Sequence, residues 1–423
     1  MSLPPTVIID AGSYSTKVGY CGDECPRYAA PSVYGVKSSV KQEDGSPMED
    51  SSSPSSSTFI NSELSLSSFL PNTDIVSPFD TSGLISDWDG LEQHWRYIFS
   101  YLGIIPEESP ILIAEAPHNT KEHRERICRL MFESFNCPAV YFGKTPVLSA
   151  FANGKTSGMV VDMGAHSTMV CPVVDGYVYN KGLVRSPLGG HGLSHVLDVY
   201  ITSKGYNLKP SYRIKKKNIG GSFDVRDLGV DGVRPSFEMF HRAELVNDIK
   251  HTSCFVNDGF IDPGNVVISH PFESYTLPDG QRLDLGPVSA IIPELMFNSG
   301  IVDVLLPEVT GSLGFNLKSV IPLSQMTRHS LNACDPESRK DAASVAILTG
   351  GSSLMKGMRD RFITDVENST GVRTFAMLEP SERSFGPWIG GSILASLPSF
   401  HQLWISKQEF EEHGSTLVER KSK

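Results

Sequence analysis

The chain has 423 residues, 39% hydrophobic and 20% charged, the composition of an ordinary globular protein long enough for two or three lobes. Its 37 basic and 48 acidic residues leave a formal charge of −11, which argues against a uniform electrostatic grip on nucleic acid. Seven cysteines with no C-x-x-C pair favour a reducing compartment over a disulfide framework or zinc site, and the absence of a basic-then-apolar start or a long apolar run argues against secretion and membrane insertion.

The first feature in chain order is the apolar run Ile8-Ile9, which predicts a strand ending in Asp10, a bend at Ala11-Gly12-Ser13 and a second strand over residues 16–20. After Pro26 and Pro31 comes a tract, 37–68, in which residues 50–58 read Asp-Ser-Ser-Ser-Pro-Ser-Ser-Ser-Thr. With almost nothing to bury, it is expected to be a solvated, mobile loop. Order resumes near Gly83, and Leu91, Trp95, Ile98, Phe99 and Leu102 fall at helical spacing. Residues 111–114 read as a buried strand ended by Pro117. Asn119 or Thr120 then caps a helix with Ile127, Leu130, Met131 and Phe135 on its inner face, stopped by Asn136-Cys137-Pro138.

The second half repeats the opening. Val160-Val161 leads to Asp162, the bend Met163-Gly164-Ala165 and a strand over Thr168–Val174, with a hairpin turn at Asp175-Gly176. Residues 209–236, rich in Gly and Lys, read as a surface insertion and contain Lys215, Lys216 and Lys217. A third glycine turn, Gly350-Gly351-Ser352, follows the apolar run Ala346-Ile347-Leu348 and precedes a helix through Met358 and Phe362. Residues 388–397 and 406–412 read as terminal helices.

Asp-x-Gly found once is a turn. Found at the start of each half, it predicts two facing hairpins that clasp a metal–polyphosphate. The carboxylates of Asp10 and Asp162 would hold the cation through water, and the small residues would bring backbone N–H groups up to phosphate oxygens. Lys17 is placed to reach a phosphate, although a hairpin lysine is as readily solvated; Lys250, in the helical stretch 243–250, is as readily a surface residue as a ligand. His118, His166 and His191 match no metal spacing and read as turn or surface residues. The Lys215-Lys216-Lys217 run lacks interleaved aromatics and reads as a solvated loop, so no strong direct DNA binding is expected.

Longer runs resemble the actin family from end to end of the chain. They are Trp388-Ile389-Gly390-Gly391-Ser392-Ile393-Leu394-Ala395-Ser396-Leu397, its continuation Trp404-Ile405-Ser406-Lys407-Gln408-Glu409-Phe410, Met131-Phe132-Glu133-Ser134-Phe135-Asn136 and Leu277-Pro278-Asp279-Gly280-Gln281. Ala150-Phe151-Ala152-Asn153-Gly154, Glu419-Arg420-Lys421 and Lys209-Pro210-Ser211-Tyr212, which opens an insertion where actin has none, resemble the nuclear actin-related proteins of the fourth class. The resemblance implies an α/β actin-type fold, two lobes of two subdomains each around a nucleotide cleft. Residues 1–36 and 69–157 would form the first lobe, with 37–68 its Ser-rich loop, and 158–345 the second, with insertion 209–236. Residues 346–380 would complete the second lobe with its nucleotide turn, and 381–423 would return to the first as helices. The implied nucleotide-binding set is Asp10, Gly12, Ser13, Tyr14, Lys17, Asp162, Gly164, Lys250, Gly350, Gly351 and Ser352. ATP with Mg²⁺ is the implied structural ligand; the alternative is an empty cleft packed by Tyr14.

The departures from actin carry the functional information. The second small residue of actin's first phosphate loop is here Tyr14, a bulky group expected near the γ-phosphate position. The acidic residue expected three positions after Asp162 is Ala165, and the acidic residue expected after Lys250 is His251. Actin's water-orienting glutamine falls on Thr145, and a histidine of the same network falls on Met169. Losing a water-orienting group commonly costs about 10²–10⁴ in rate, or about 3–5 kcal/mol of barrier, so at most residual ATPase activity is expected. The filament-contact loop falls in the Ser-rich tract, which has few apolar anchors, so polymerisation is expected to be lost.

The implied role is a non-catalytic subunit of a nuclear chromatin-remodelling assembly (SWI/SNF- or RSC-type, variant-exchanging, or a histone acetyltransferase) acting in transcription regulation and DNA repair. Its implied partner is actin or a second actin-related protein, paired on the helicase–SANT-associated helix of the motor subunit. Tyr141, Ser149, Ile389, Leu394 and Leu397 are the implied lining of the groove for that helix, though each reads equally as core. Histone contact through Lys215, Lys216 and Lys217 or the acidic surface is a further expectation. A filament-forming ATPase would need compensation for Thr145 and Ala165, while a sugar kinase would need a base carboxylate beside a sugar pocket and a chaperone a separate C-terminal peptide-binding domain.

Overall fold

Each Asp-x-Gly bend connects the strands of a β-hairpin. Val7–Ala11 pairs antiparallel with Ser15–Tyr20, and Gly158–Met163 with Thr168–Val174, so that Asp10 faces Lys17 and Asp162 faces Met169. In both bends the glycine N–H donates to the carbonyl three positions on, Gly12 to Ser15 at 3.2 Å and Gly164 to Ser167 at 3.0 Å. These hairpins organise the computed structural model, which describes residues 5–37, 58–60, 69–219, 222–311 and 316–421.

A six-stranded sheet grows around each hairpin. In the first, Ile111–Glu115 lies parallel to Val7–Ala11 and Ala139–Lys144 parallel to Ile111–Glu115, with Ile405–Ser406 and Tyr28–Pro31 at the edges. In the second, Ala346–Thr349 lies parallel to Gly158–Met163 and Phe375–Ala376 parallel to Ala346–Thr349. Parallel neighbours need crossovers, and in the first sheet helices Trp88–Leu102 and Lys121–Arg129 supply them. Asp87 caps the first of these helices through Gly90 N–H, and Leu91, Trp95, Ile98 and Phe99 are buried as their spacing predicts. Thr120 caps the second through His123 N–H. The result is the mixed α/β architecture of the actin-type fold.

One region differs from expectation and a second gains detail. Thr58–Ile60, inside the tract read as a loop, is a strand beside Tyr34–Lys37, whose other neighbour is Thr73–Val76. Thr58-Phe59-Ile60 is β-branched and aromatic, which suits a pleated surface. The remainder of that Ser-rich tract lies outside the described residues, except for Lys37 at the end of its strand. The 209–236 segment, expected as a surface insertion, contains the hairpin Ile214–Ile219/Ser222–Asp227, with Lys215, Lys216 and Lys217 on its first strand, and it runs into helix Pro235–Ser253.

The cores follow the two sheets, and a smaller cluster joins them. Val147 and Ala150 of helix Thr145–Ala152 pack with Val160, Val173, Val345 and Ile347 of the second sheet and its approaches. Helix Gly386–Ala395 lies across the same helix, and a Cβ on Gly390 would overlap the Leu148 carbonyl. A Cβ on Gly391 would stand 2.9 Å from Ile8 and 3.1 Å from Leu112, and Trp388, fully buried, donates its indole N–H to the Ile8 carbonyl at 3.3 Å. Among the described residues the cysteines are free thiols, and no helix is long and apolar enough to cross a membrane. Gly390→Ala is expected to destabilise the protein by about 3 kcal/mol or more, since the obstacle is backbone; thermal unfolding of the variant checks this.

Candidate functional site

The two bends face each other across a cleft of about 480 Å³ lined by both glycine hairpins, the Gly350-Gly351-Ser352 turn and helix Pro235–Ser253. Every residue of the expected nucleotide set lines it: Asp10, Gly12, Ser13, Tyr14, Lys17, Asp162, Gly164, Lys250, Gly350, Gly351 and Ser352. Tyr14 lines the cleft without filling it. Its hydroxyl donates to Glu244 Oε2 at 3.0 Å and accepts from Asn247 Nδ2 at 3.1 Å, so its bulk runs toward the helix that carries Lys250.

The strand register concentrates charge. Lys17 Nζ lies 3.2 Å from Asp10 Oδ2, both side chains being nearly buried. Burial, and then the neighbouring Asp10 carboxylate, pushes the Asp162 carboxyl up to about 6. Two carboxylates gathered with a single lysine form a donor set that suits a hydrated divalent cation. Gly350, with φ 90°, brings the third turn so close that a Cβ would overlap Asp162 Oδ1. Ser352 Oγ donates to the Gly164 carbonyl at 3.0 Å and Gly190 N–H to the same oxygen at 3.0 Å, which ties the second and third glycine turns together. Lys250, 2% exposed, donates to Gly190 O and Ser194 Oγ, both at 2.9 Å. It is not a surface lysine.

The histidines are turn or surface residues, as the sequence suggests: His118 lies in a turn, His166 in a bend, and His191 is exposed at the start of helix Gly190–Ser203. His118, His166 and His191 all line the cleft. His166 Nδ1 is hydrogen-bonded to Ser13 Oγ at 2.7 Å, and the His191 ring stands 4.7 Å from that of His166 and 5.8 Å from that of Tyr14. Glu244 and Asn247, the partners of Tyr14, were missed. The available signal was their place one and two turns before Lys250 on one predicted helix.

A model of the family described as actin matches residues 3–423. The chain belongs to the actin family. Actin-related protein 4 of Arabidopsis thaliana is 38% identical to it over 98% of both chains, and Actin-related protein 4 of Oryza sativa subsp. indica is 37% identical over 98% of both. Within this actin-family cleft the departures fall on the wall itself: Thr145, Ala165, Met169 and His251 all line it. The residues present fit Mg²⁺ and a nucleotide polyphosphate, with Asp10 and Asp162 toward the cation and Lys17, Ser13 and the glycine turns toward the phosphates.

Burial pushes the Lys250 ammonium down to about 8. An unfolded lysine keeps its proton to about 10.4, so between these values the unfolded chain binds more protons and stability rises with pH. The full cost is therefore present below pH 8. In nucleotide-free protein, the stability of wild type relative to Lys250→Met is expected to rise by about 3 kcal/mol from about pH 8 to about pH 10.5. Denaturant unfolding of both proteins across that window checks the sign.

Proposed function

We propose that this chain is a non-catalytic, non-polymerising, nuclear actin-related subunit of a chromatin-remodelling or histone-modifying assembly, with Mg·ATP as a structural ligand. The observation that carries this reading is the cleft wall. Among the described residues that line it, the carboxylates are Asp10 and Asp162, both placed for a cation, and the amide is Asn247, engaged with Tyr14. Thr145, Ala165 and Met169 stand where the resemblance puts actin's water-orienting or acidic groups, so no free carboxylate or amide is left there to aim a water, and hydroxyls and imidazoles are the side-chain acceptors that remain on the wall. The likeness to two proteins named Actin-related protein 4 supports the class.

An apolar surface at the base supports a helical partner. Ile393, Leu397 and Leu403 are 43%, 46% and 45% exposed, while Tyr141, Ile389 and Leu394 are half-buried against the core cluster that holds Phe400 and Trp404. Ser149, expected in this lining, is instead 1% exposed, with Gly386 packed over its hydroxyl. The reading places the helicase–SANT-associated helix of the motor subunit on this face, beside actin or a second actin-related protein. Histone contact is a secondary element of the proposal.

Purified protein is expected to release phosphate at no more than a residual rate, and Thr145→Gln with Ala165→Asp to raise that rate at least about tenfold. Turnover in wild type at the level of filamentous actin would end the non-catalytic reading. Leu397→Glu is expected to weaken binding of the motor-subunit helix at least about tenfold without changing the melting temperature, as read by titration calorimetry and thermal unfolding.

A further inference from the structure

Contacts between the two walls of the cleft come from the polypeptide at two levels. At the lower level Tyr14 bridges to Glu244 and Asn247, and Ser13 to His166, as described above. At the upper level the short sheet containing Thr73–Val76 meets the start of helix Pro235–Ser253. Asp74 accepts from Ser236 Oγ at 2.7 Å and from Arg234 Nε at 2.8 Å, and the same Ser236 oxygen accepts from Ile75 N–H at 3.1 Å. Asn72 N–H donates to the Gly232 carbonyl at 2.9 Å. The Phe69 ring stacks on Tyr212 with centroids 5.7 Å apart.

The upper contact has the marks of a built one. Asn72 holds a left-handed φ of 56°, and Gly232, at φ 76°, has its missing Cβ position 3.2 Å from Asn72 Oδ1, so the two backbones meet where a larger residue at 232 would intrude.

We propose that this chain closes its own cleft: the Tyr14 bridge and the Asp74–Ser236 clasp hold the two lobes together whether or not a nucleotide lies between them. In a hinged binding protein the ligand ordinarily supplies the contacts that favour the closed state. Here the protein supplies them. Each bond is modest and the exposed Arg234–Asp74 pair is weak alone, but opening has to break them in one step, so their effects on the open population multiply. The consequence is a subunit that presents partners with one fixed shape. This goes beyond the proposed role and does not require the cleft to be filled.

The test is hydrogen exchange of the full-length protein, stripped of nucleotide by chelation and enzymatic digestion, with and without saturating Mg·ATP. Wild type is expected to protect the amides of residues 72–75 and 244–247 equally in both states. Tyr14→Phe combined with Asp74→Ala is expected to speed exchange there at least about tenfold when stripped. Protection of the Val7–Ala11 and Gly158–Met163 strands reports that the variant remains folded; if it does not, Tyr14→Phe alone, expected to speed exchange severalfold, carries the test. The proposal falls if stripping alone opens wild type tenfold, or if the folded variant stays as protected as wild type. Failure of Mg·ATP to restore the variant's protection would count against the nucleotide reading and leave the clasp standing.

Discussion

The Leu148 carbonyl meets the backbone of helix Gly386–Ala395 at Gly390, with no room for a side chain between them. That contact locks helix Thr145–Ala152, which also packs Val147 and Ala150 against the second sheet. One helix is thus held from both sides, and its position sets how the two hairpins face each other. Thr145, its first residue, is the one that lines the cleft at the place where actin carries its glutamine. The element that fixes the lobes therefore also carries Thr145 to the cleft wall.

Closing the lobes concentrates like charges. Asp10 and Asp162 come together with Lys17 between strands, and Asp162 responds by holding its proton more tightly. Lys250 is stripped of water and held by Gly190 O and Ser194 Oγ, with its ammonium made more acidic. Each shift is a cost carried by the folded state and relieved by a ligand of the opposite charge. On the proposed reading such a site serves binding, since Thr145, Ala165 and Met169 stand where a group to aim a water would be needed.

Much of this was legible along the chain. The Asp-x-Gly pair, the cap at Thr120 and the apolar spacing of Leu91, Trp95, Ile98 and Phe99 are local patterns, and local hydrogen bonding and one-sided burial made them come true. The residues expected to hold a nucleotide converge on one cleft, most of them on or beside the glycine turns and Lys250 from helix Pro235–Ser253. What local pattern could not reveal was contact between distant residues. Tyr14 looked like an obstruction at the phosphate end until helix Pro235–Ser253 placed Glu244 and Asn247 within reach of its hydroxyl. That His118, His166 and His191 share one cleft was hidden because they sit on separate stretches of the chain.

The sequence by itself determined the hairpins, the glycine turns and membership of the family, because each is a property of short runs of residues. The tertiary structure alone decided which walls those runs would share. Lys250 became a buried cleft residue, Ser149 withdrew from the base surface, and Asp74 met Ser236, 162 residues further along the chain. The physical reason is that burial and hydrogen bonding between lobes depend on how two separately formed sheets dock, and docking joins residues the chain keeps far apart.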